Sequence, residues 1–221
     1  MKGHSMPIKK LVERIRSLSV QSDTRLLVAV AGAPASGKST LADVLADTLT
    51  LAGTSACVVP MDGFHLDNSI LETRGVLHRK GAPETFDAAG FIRMVTALKP
   101  RQEVVIPTFD RARDIAIAGA RAISAETDVI IVEGNYLLFD DPHWAGLAQE
   151  WSLSVRLDVP FDVLRARLVQ RWLDHGLDEA QAVRRAEAND LANAARIIAQ
   201  ALPADITVLS EDLDIHQSER L

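Results

Sequence analysis

Residues 32–40 read GAPASGKST, which fits the pattern G-x-x-x-x-G-K-[ST] of a loop that surrounds phosphate groups with backbone amides. In such a loop the lysine, here Lys38, reaches the outer phosphates, and the next hydroxyl, here Ser39, ligates Mg²⁺. The alternative is a glycine-rich helix entry that binds nothing, but it gives Lys38 and Ser39 no function. We therefore predict a triphosphate site and assign nucleotide binding to Gly32, Ala33, Pro34, Ala35, Ser36, Gly37, Lys38, Ser39 and Thr40.

Two acidic residues follow apolar runs that read as buried strands. Asp62 comes after SACVVPM, and Glu133 ends DVIIVE. Because ligands of α/β proteins bind at the carboxyl ends of the strands, both side chains are expected near the phosphates. Asp62 is predicted to be a general base or a magnesium-shell ligand, the alternative being a turn residue in the pair D-G. Glu133 is predicted to hold Mg²⁺ with Ser39 or to orient the nucleophile, the alternative being a satisfied structural carboxylate. Lys38, Asp62 and Glu133 form the candidate catalytic set.

Phosphoryl transfer also needs positive charge and the exclusion of water. Arg167 and Arg171 lie four residues apart on a predicted helix, and Arg184 and Arg185 lie on the next one. The turn between them contains a glycine, so the segment fits a closing lid that brings Arg167 and Arg171 to the nucleotide. The alternative is a solvated basic helix face with local ion pairs. On the second helix, Asn189 and Asn193 are either nucleotide contacts or part of a solvated face.

The apolar periodicity around these residues predicts strands that alternate with helices, and hence a parallel sheet with right-handed crossovers. Strands are expected at 26–31, 55–60, 103–109, 128–133, 153–159 and 206–209, and helices at 8–18, 38–52, 87–98, 161–175 and 179–201. Asp87 is expected to cap the third helix, and residues 64–86 read as a functional loop. No linker is visible. We predict an N-terminal segment and helix at 1–23 and one domain at 24–221, with its lid at about 165–190.

Composition narrows the class of protein. The 221 residues are 48% hydrophobic and 24% charged, which suits a single globular α/β domain. A net charge of −6 and a pI near 5.5 argue against a nucleic-acid partner. The one cysteine, Cys57, cannot form an internal disulfide and fits a reducing compartment. With no apolar run of membrane-spanning length and no signal-peptide pattern, we expect a cytoplasmic protein without a membrane partner.

Five motifs, in order, are similar to those of the P-loop kinases that include uridine kinase, phosphoribulokinase and bacterial pantothenate kinase. They are GAPASGKST, PMDGFH at 60–65, RKGAPETFD at 79–87, PTFDRARD at 107–114 and VEGNYLL at 132–138. The resemblance covers about residues 24–210. With NDLANA at 189–194, the chain most resembles the bacterial branch labelled fructose transport system kinase or nucleoside/nucleotide kinase family protein. The implied fold is the P-loop NTPase three-layer α/β/α arrangement, with a parallel five-stranded core sheet and a helical lid.

The resemblance implies a kinase that uses ATP and Mg²⁺ to phosphorylate a hydroxyl of a small-molecule acceptor, with Asp62 as catalytic base. It implies that the segment 79–87 lines the acceptor pocket, with Arg79, Lys80 and Asp87 as candidate contacts. Asp110 stands in a position where many relatives have a tyrosine-aspartate pair, but Phe109 replaces the tyrosine and removes its hydroxyl. His65 is a further candidate acceptor contact, the alternative being a loop histidine satisfied by the backbone.

Several alternatives stay open at this point. The acceptor is a sugar such as fructose, a nucleoside or a pantothenate-like alcohol. A nucleotide switch of the GTPase kind would need an N-K-x-D element, which this chain lacks. A regulatory module that binds ATP without turnover would not need Lys38, Asp62 and Glu133 together. The sequence leaves the oligomeric state undetermined, with a homodimer as one candidate.

Overall fold

Apolar runs form the central sheet of this protein, whose computed structural model describes residues 6–209. In chain order the strands are β1 (Leu26–Ala31), β2 (Ala56–Pro60), β3 (Val104–Asp110), β4 (Ile115–Ile123), β5 (Val129–Gly134), β6 (Leu153–Asp158) and β7 (Ile206–Leu209). Five of them pair in parallel in the order β2-β5-β1-β6-β7. The central strands β1 and β5 are buried along their whole length, because helices cover both faces. The predicted parallel five-stranded core sheet is confirmed.

Helices form the two outer layers. They are α1 (Ile8–Val20), α2 (Lys38–Leu51), α3 (Asn68–Thr73), α4 (Ala88–Leu98), α5 (Phe161–Asp174), α6 (Glu179–Arg185) and α7 (Leu191–Ala199), with short 3-10 turns at Met61–Phe64, Leu77–Arg79, Pro83–Thr85 and Ala145–Gln149. Successive residues of β1 point to opposite faces of the sheet. Leu27 and Ala29 pack in the cluster that contains α4, whereas Leu26 and Val28 pack in the cluster that contains α1 and α2. This alternation produces the predicted α/β/α arrangement.

A β-hairpin stands apart from the parallel sheet. The strand expected at 103–109 is present as β3, but it pairs antiparallel with β4 and not with the core strands. Six strands are expected from the sequence for a five-stranded sheet, and β3 is the one that lies outside it. The strand β4 was missed. The missed strand reads IAIAGARAI, and alanine and glycine weaken the alternation that normally marks a half-exposed strand. The hairpin brings the segment PTFDRARD beside the end of β2.

The helical segment after β6 is more divided than predicted. The helix expected at 179–201 consists of α6, a π-helical turn at Ala186–Asp190, and α7. The side chain of Asp178 accepts a hydrogen bond from the backbone N–H of Gln181, whose side chain accepts one from the Asp178 N–H. This capping box starts α6 sharply after the Gly176 turn. Within residues 6–209, no helix is both long and apolar enough to cross a membrane.

The buried side chain of Arg25 links three separate segments close to the start of β1. Arg25, just before β1, is 1% exposed. Its guanidinium donates hydrogen bonds to the carbonyl oxygens of Leu98, Gln102 and Ser124, at 3.2, 2.6 and 2.6 Å. These contacts hold the end of α4 and both ends of the hairpin against the start of the core strands. Nothing in the local sequence around Arg25 indicated this role.

We expect Arg25→Met to lower the free energy of unfolding by about 2–4 kcal/mol, because one buried and two partly buried carbonyl groups lose their donor. Urea unfolding followed by circular dichroism measures the change. Arg14→Met, on the exposed face of α1, is the matched control and is expected to stay within about 0.5 kcal/mol of wild type. Equal stability of the two variants would contradict the role assigned to Arg25.

Candidate functional site

The loop between β1 and α2 has the backbone geometry of an anion cradle. Ala35 and Gly37 adopt left-handed conformations, with φ of 61° and 94°, and Gly37 is the residue before the first turn of α2. Such alternation turns successive amides towards one point, where the helix N-terminus also favours negative charge. Gly32 is equally constrained, because a Cβ at this position would lie 2.6 Å from Ser36 Oγ. The loop is therefore shaped for phosphate by its backbone.

A pocket of about 290 Å³ opens above this loop. It is lined by Pro34, Ala35, Gly37, Lys38, Ser39, Thr40, Asp62, Arg111, Asn135 and Arg171. Eight of these ten residues were predicted from the sequence, and Arg111 and Asn135 were not. The other predicted loop residues, Gly32, Ala33 and Ser36, line a separate cavity of about 210 Å³ behind the loop. The pocket lies where β1, β2 and β5 end, as parallel sheets require of a ligand site.

Ser39 and Glu133 form a hydrogen-bonded pair in which Ser39 Oγ donates to Glu133 Oε2 at 3.1 Å. Glu133 is 5% exposed, and the sheet register places it opposite Val30 and Pro60. Burial raises the pKa of Glu133, and the nearby charge of Lys38 opposes that shift. Burial also lowers the pKa of Lys38, against the charges of Glu133 and Asp62. Both groups are thus held beside each other in an environment that disfavours isolated charge.

The donor set fits Mg²⁺ brought in with a nucleotide. Ser39 and Glu133 offer hard oxygen ligands at the mouth of helix α2. Over residues 6–209, no group of three or more His, Cys, Asp or Glu side chains could hold a metal ion. Mg²⁺ in kinases is usually bound by one or two protein oxygens, with phosphate and water completing its shell. Asn135 Oδ1, buried and without a hydrogen-bond partner among the described residues, adds an acceptor beside the same pocket.

Asp62 lies in the 3-10 turn directly after β2, and its carboxylate faces the pocket. Its Oδ2 accepts a hydrogen bond from Nη2 of Arg111 at 2.8 Å. Arg111 lies in the turn between β3 and β4, so this pair joins the hairpin to the end of β2. The run of charges in PTFDRARD was the available sequence signal for Arg111. Local spacing could not assign its partner, because the two residues are 49 positions apart.

His65 is held in an aromatic sandwich next to Asp62. Its ring centroid lies 4.1 Å from that of Phe86 and 4.5 Å from that of Phe109. Its Nδ1 lies 2.7 Å from the carbonyl oxygen of Asp62. Burial lowers the pKa of His65, and the charge of Asp62 opposes that shift. The histidine is therefore a fixed, preferentially neutral ring with one nitrogen used by the backbone.

Two arginines of α5, Arg167 and Arg171, lie at different parts of the phosphate loop. Arg171 lines the pocket. Arg167 Nη1 instead lies 3.4 Å from the carbonyl oxygens of both Ala35 and Ser36, so it contacts the loop backbone from outside. On the next helix, the Arg185 guanidinium stacks on the Trp172 ring at 5.1 Å. The structure thus brings Arg171 to the pocket, places Arg167 against the loop and leaves Arg185 on a tryptophan.

Two of the residues that we predict to contact the acceptor molecule, Lys80 and Asp110, form polar contacts within or next to the β3–β4 hairpin. The Lys80 ammonium donates to Asn68 Oδ1 at 2.7 Å and to the carbonyl oxygen of Asp114 at 2.6 Å, and it lies 2.9 Å from Asp114 Oδ2. It also lies 5.3 Å from the ring centroid of Phe109. Asp110 accepts hydrogen bonds from the backbone N–H and Nε of Arg113, at 3.0 and 2.7 Å. Lys80 and Asp110 therefore stabilise the hairpin in this structure.

Arg79 and Asp87, which are also predicted to contact the acceptor, border a third cavity, of about 770 Å³. Arg79 pairs with Glu84 at 3.2 Å, and Glu84 also pairs with Arg196 at 3.0 Å. Asp87 caps α4 as predicted, because its Oδ1 accepts from the Gly90 N–H at 2.8 Å. Neither Arg79 nor Asp87 is among the described residues that line the phosphate pocket.

The segment 79–87 is tied to two distant elements through its backbone. Tyr136 Oη donates to the carbonyl oxygen of Gly81 at 2.6 Å. Asn189 Nδ2 donates to the carbonyl oxygen of Lys80 at 2.8 Å, and Asn193 Nδ2 lies 3.3 Å from Asn189 Oδ1. Asn189 and Asn193 are 5% and 2% exposed, so the solvated-face interpretation of these residues was wrong. Asn189 instead connects the π-helical turn to the predicted acceptor segment.

Comparison with known proteins shows which family the chain resembles. Residues 27–185 match the Phosphoribulokinase / Uridine kinase family. A solved structure from Silicibacter sp. TM1040, provisionally assigned as a fructose transport system kinase, is 56% identical and has a TM-score of 0.89, covering 92% of this chain and 99% of that one. A provisionally assigned uridine kinase from Schizosaccharomyces pombe is 34% identical over 179 residues, which is 76% of each chain. A pantothenate kinase from Leifsonia xyli is 40% identical over 118 residues, which is 52% of this chain and 37% of that enzyme.

The family match covers more than half of the chain and includes the phosphate loop, Asp62, Glu133 and Arg171. The predicted kinase resemblance and fold are confirmed, and so is the class of small-molecule phosphotransferase. This chain belongs to the Phosphoribulokinase / Uridine kinase family of P-loop kinases.

Proposed function

We propose that this kinase transfers the γ-phosphoryl group of ATP to a hydroxyl group of a sugar or nucleoside-like acceptor, with Asp62 as general base. The observation that carries the proposal is that a single pocket is lined both by the phosphate loop and by Asp62. A proton acceptor placed opposite the outermost phosphate is the arrangement that phosphoryl transfer to a hydroxyl needs. A site that only bound ATP would need the loop alone.

In this proposal, the phosphate loop and five side chains in or beside the pocket each have a role. Lys38 and the loop amides bind the β- and γ-phosphates, and Ser39 and Glu133 hold Mg²⁺, which neutralises charge on the phosphate oxygens when bound. Asp62 accepts the proton of the acceptor hydroxyl as the hydroxyl oxygen attacks the γ-phosphorus. Arg171 adds positive charge from α5. We further propose that residues 24–221 act as one domain, in which a lid at about 165–190 closes over the nucleotide and excludes water.

The acceptor is proposed to bind between Asp62, His65 and the β3–β4 hairpin. Because Nδ1 of His65 donates to the Asp62 carbonyl in the neutral ring, Nε2 is left as an acceptor for a hydroxyl hydrogen. A neutral imidazole ring that accepts a hydrogen bond suits an uncharged acceptor molecule with several hydroxyl groups. The Silicibacter relative, provisionally assigned as a fructose transport system kinase, favours a fructose-like sugar as the first candidate acceptor. The Schizosaccharomyces pombe relative, provisionally assigned as a uridine kinase, makes a nucleoside the second candidate.

Wild-type enzyme with Mg²⁺ and ATP is expected to release ADP much faster when one acceptor from a panel of fructose, other sugars, nucleosides and pantothenate is added. A coupled ADP assay measures the rates. Slow ADP release that no compound stimulates would contradict the kinase proposal and favour a nucleotide switch. Binding of ATP without any ADP release would favour a regulatory module.

Lys38→Ala is expected to abolish turnover while leaving the unfolding curve close to that of wild type, because this side chain serves the ligand and not the core. Lys9→Ala, an exposed substitution on α1, is the matched control and should keep the wild-type rate. Steady-state ADP release and thermal unfolding of both variants give the comparison. A normal rate in Lys38→Ala would remove the nucleotide site from this loop.

Asp62→Asn is expected to lower kcat by roughly 10²–10⁴-fold while ATP still binds, because the amide cannot take the acceptor proton. Asp43→Asn, an exposed change on α2, removes the same charge away from the pocket and is expected to be neutral. Single-turnover phosphoryl transfer to the acceptor found in the panel separates chemistry from binding. A rate near wild type would reassign Asp62 to a structural turn.

A further inference from the structure

Arg111 is the one cation that the hairpin contributes to the described part of the phosphate pocket. Its side chain is 73% exposed, and Nη2 contacts Asp62 Oδ2 at 2.8 Å. Within residues 6–209 this carboxylate is its one hydrogen-bond partner. A guanidinium has five N–H donors in a planar fork, so most of its donors are still available for an anion.

The contact with Asp62 is suited to exchange. An ion pair with one strongly exposed partner contributes little net stability, because solvent screens it and the side chain loses freedom. The contact also occupies one of the two oxygens that Asp62 can offer to an acceptor hydroxyl. A second anion in the pocket would therefore compete for Arg111 at little loss to the fold, and its arrival would release that oxygen of Asp62.

The charge of Arg111 already acts where the outer phosphates are expected. After burial and the charges of Glu133 and Asp62, Arg171 and Arg111 are the further influences on the pKa of Lys38, and both lower it. Arg111 also contributes to the pKa of Glu133, which it lowers against the larger effect of burial. Lys38, Arg171 and Arg111 thus surround the pocket from the phosphate loop, from α5 and from the hairpin.

We propose that Arg111 is a further catalytic residue, which leaves Asp62 when ATP binds and donates hydrogen bonds to the γ-phosphoryl group. The inference rests on the proposed kinase function. In the step, the acceptor oxygen forms a bond to the γ-phosphorus, and the bond from that phosphorus to the β,γ-bridging oxygen breaks. ADP leaves with the electron pair, and Asp62, freed from Arg111, takes the acceptor proton. With ADP alone no γ-phosphate is present, and Arg111 stays on Asp62.

Arg111→Gln tests this assignment without knowledge of the acceptor. We expect it to weaken binding of the β,γ-imido analogue of ATP with Mg²⁺ by about 10-fold or more, since a charge-assisted contact is lost. Binding of ADP with Mg²⁺ is expected to stay within about 2-fold of wild type, because ADP has no γ-phosphate for Arg111 to contact. Isothermal titration calorimetry gives both Kd values. Arg111→Lys keeps the charge without the fork and is expected to recover part of the loss.

Arg113→Gln is the matched control, because Arg113 lies in the same turn, pairs with Asp110 and is not among the described lining residues. It is expected to change neither Kd. Equal weakening of both nucleotides by Arg111→Gln, or no change in either, would overturn the γ-phosphoryl contact. If wild-type enzyme bound neither nucleotide, the proposed function would itself fail and the inference with it, so the two failures are distinguishable.

Discussion

A parallel sheet brings the carboxyl ends of its strands to one edge, and this constraint positions the phosphate loop, Asp62 and Glu133. The phosphate loop follows β1, Asp62 follows β2 and Asn135 follows β5. The register that pairs Val30 and Pro60 with Glu133 fixes the depth at which these groups meet. Side chains at or just after the ends of three strands therefore converge at one edge of the sheet.

At this edge of the sheet, the ionisable side chains of Glu133 and Lys38 lie close to each other, the first buried and the second partly buried. Burial raises the pKa of Glu133 and lowers the pKa of Lys38, and the charge of each group opposes the shift of the other. In the proposed function, a triphosphate pairs with Lys38 and a divalent cation with Glu133, which supplies the complementary charges. Ala35 and Gly37 have positive φ angles, the backbone conformation of an anion-binding loop. The backbone of the loop is therefore also arranged for an anion.

The residues that we predict to contact the acceptor are organised differently, by contacts with one another and with neighbouring segments. Lys80, Asp110 and Asp87 are engaged in hydrogen bonds that stabilise the hairpin or cap a helix. Tyr136 and Asn189 donate hydrogen bonds to the carbonyl oxygens of Gly81 and Lys80, in the segment 79–87. The family resemblance pointed to this segment, but the structure gives several of its polar side chains a positioning role. His65 and Arg111 both contact Asp62, the first at its carbonyl oxygen and the second at its carboxylate.

Local sequence determined the phosphate loop, the core strands and the ends on which Asp62 and Glu133 lie, because these depend on spacing and on the burial of apolar residues. It also determined the Asp87 cap, which involves residues three positions apart. The tertiary structure alone decided the pairing of Arg111 with Asp62, the three carbonyls held by Arg25 and the link from Asn189 to Lys80. Their partners are separated by 49 to 109 residues. Such contacts depend on how finished elements pack, and no short pattern of residue types encodes that.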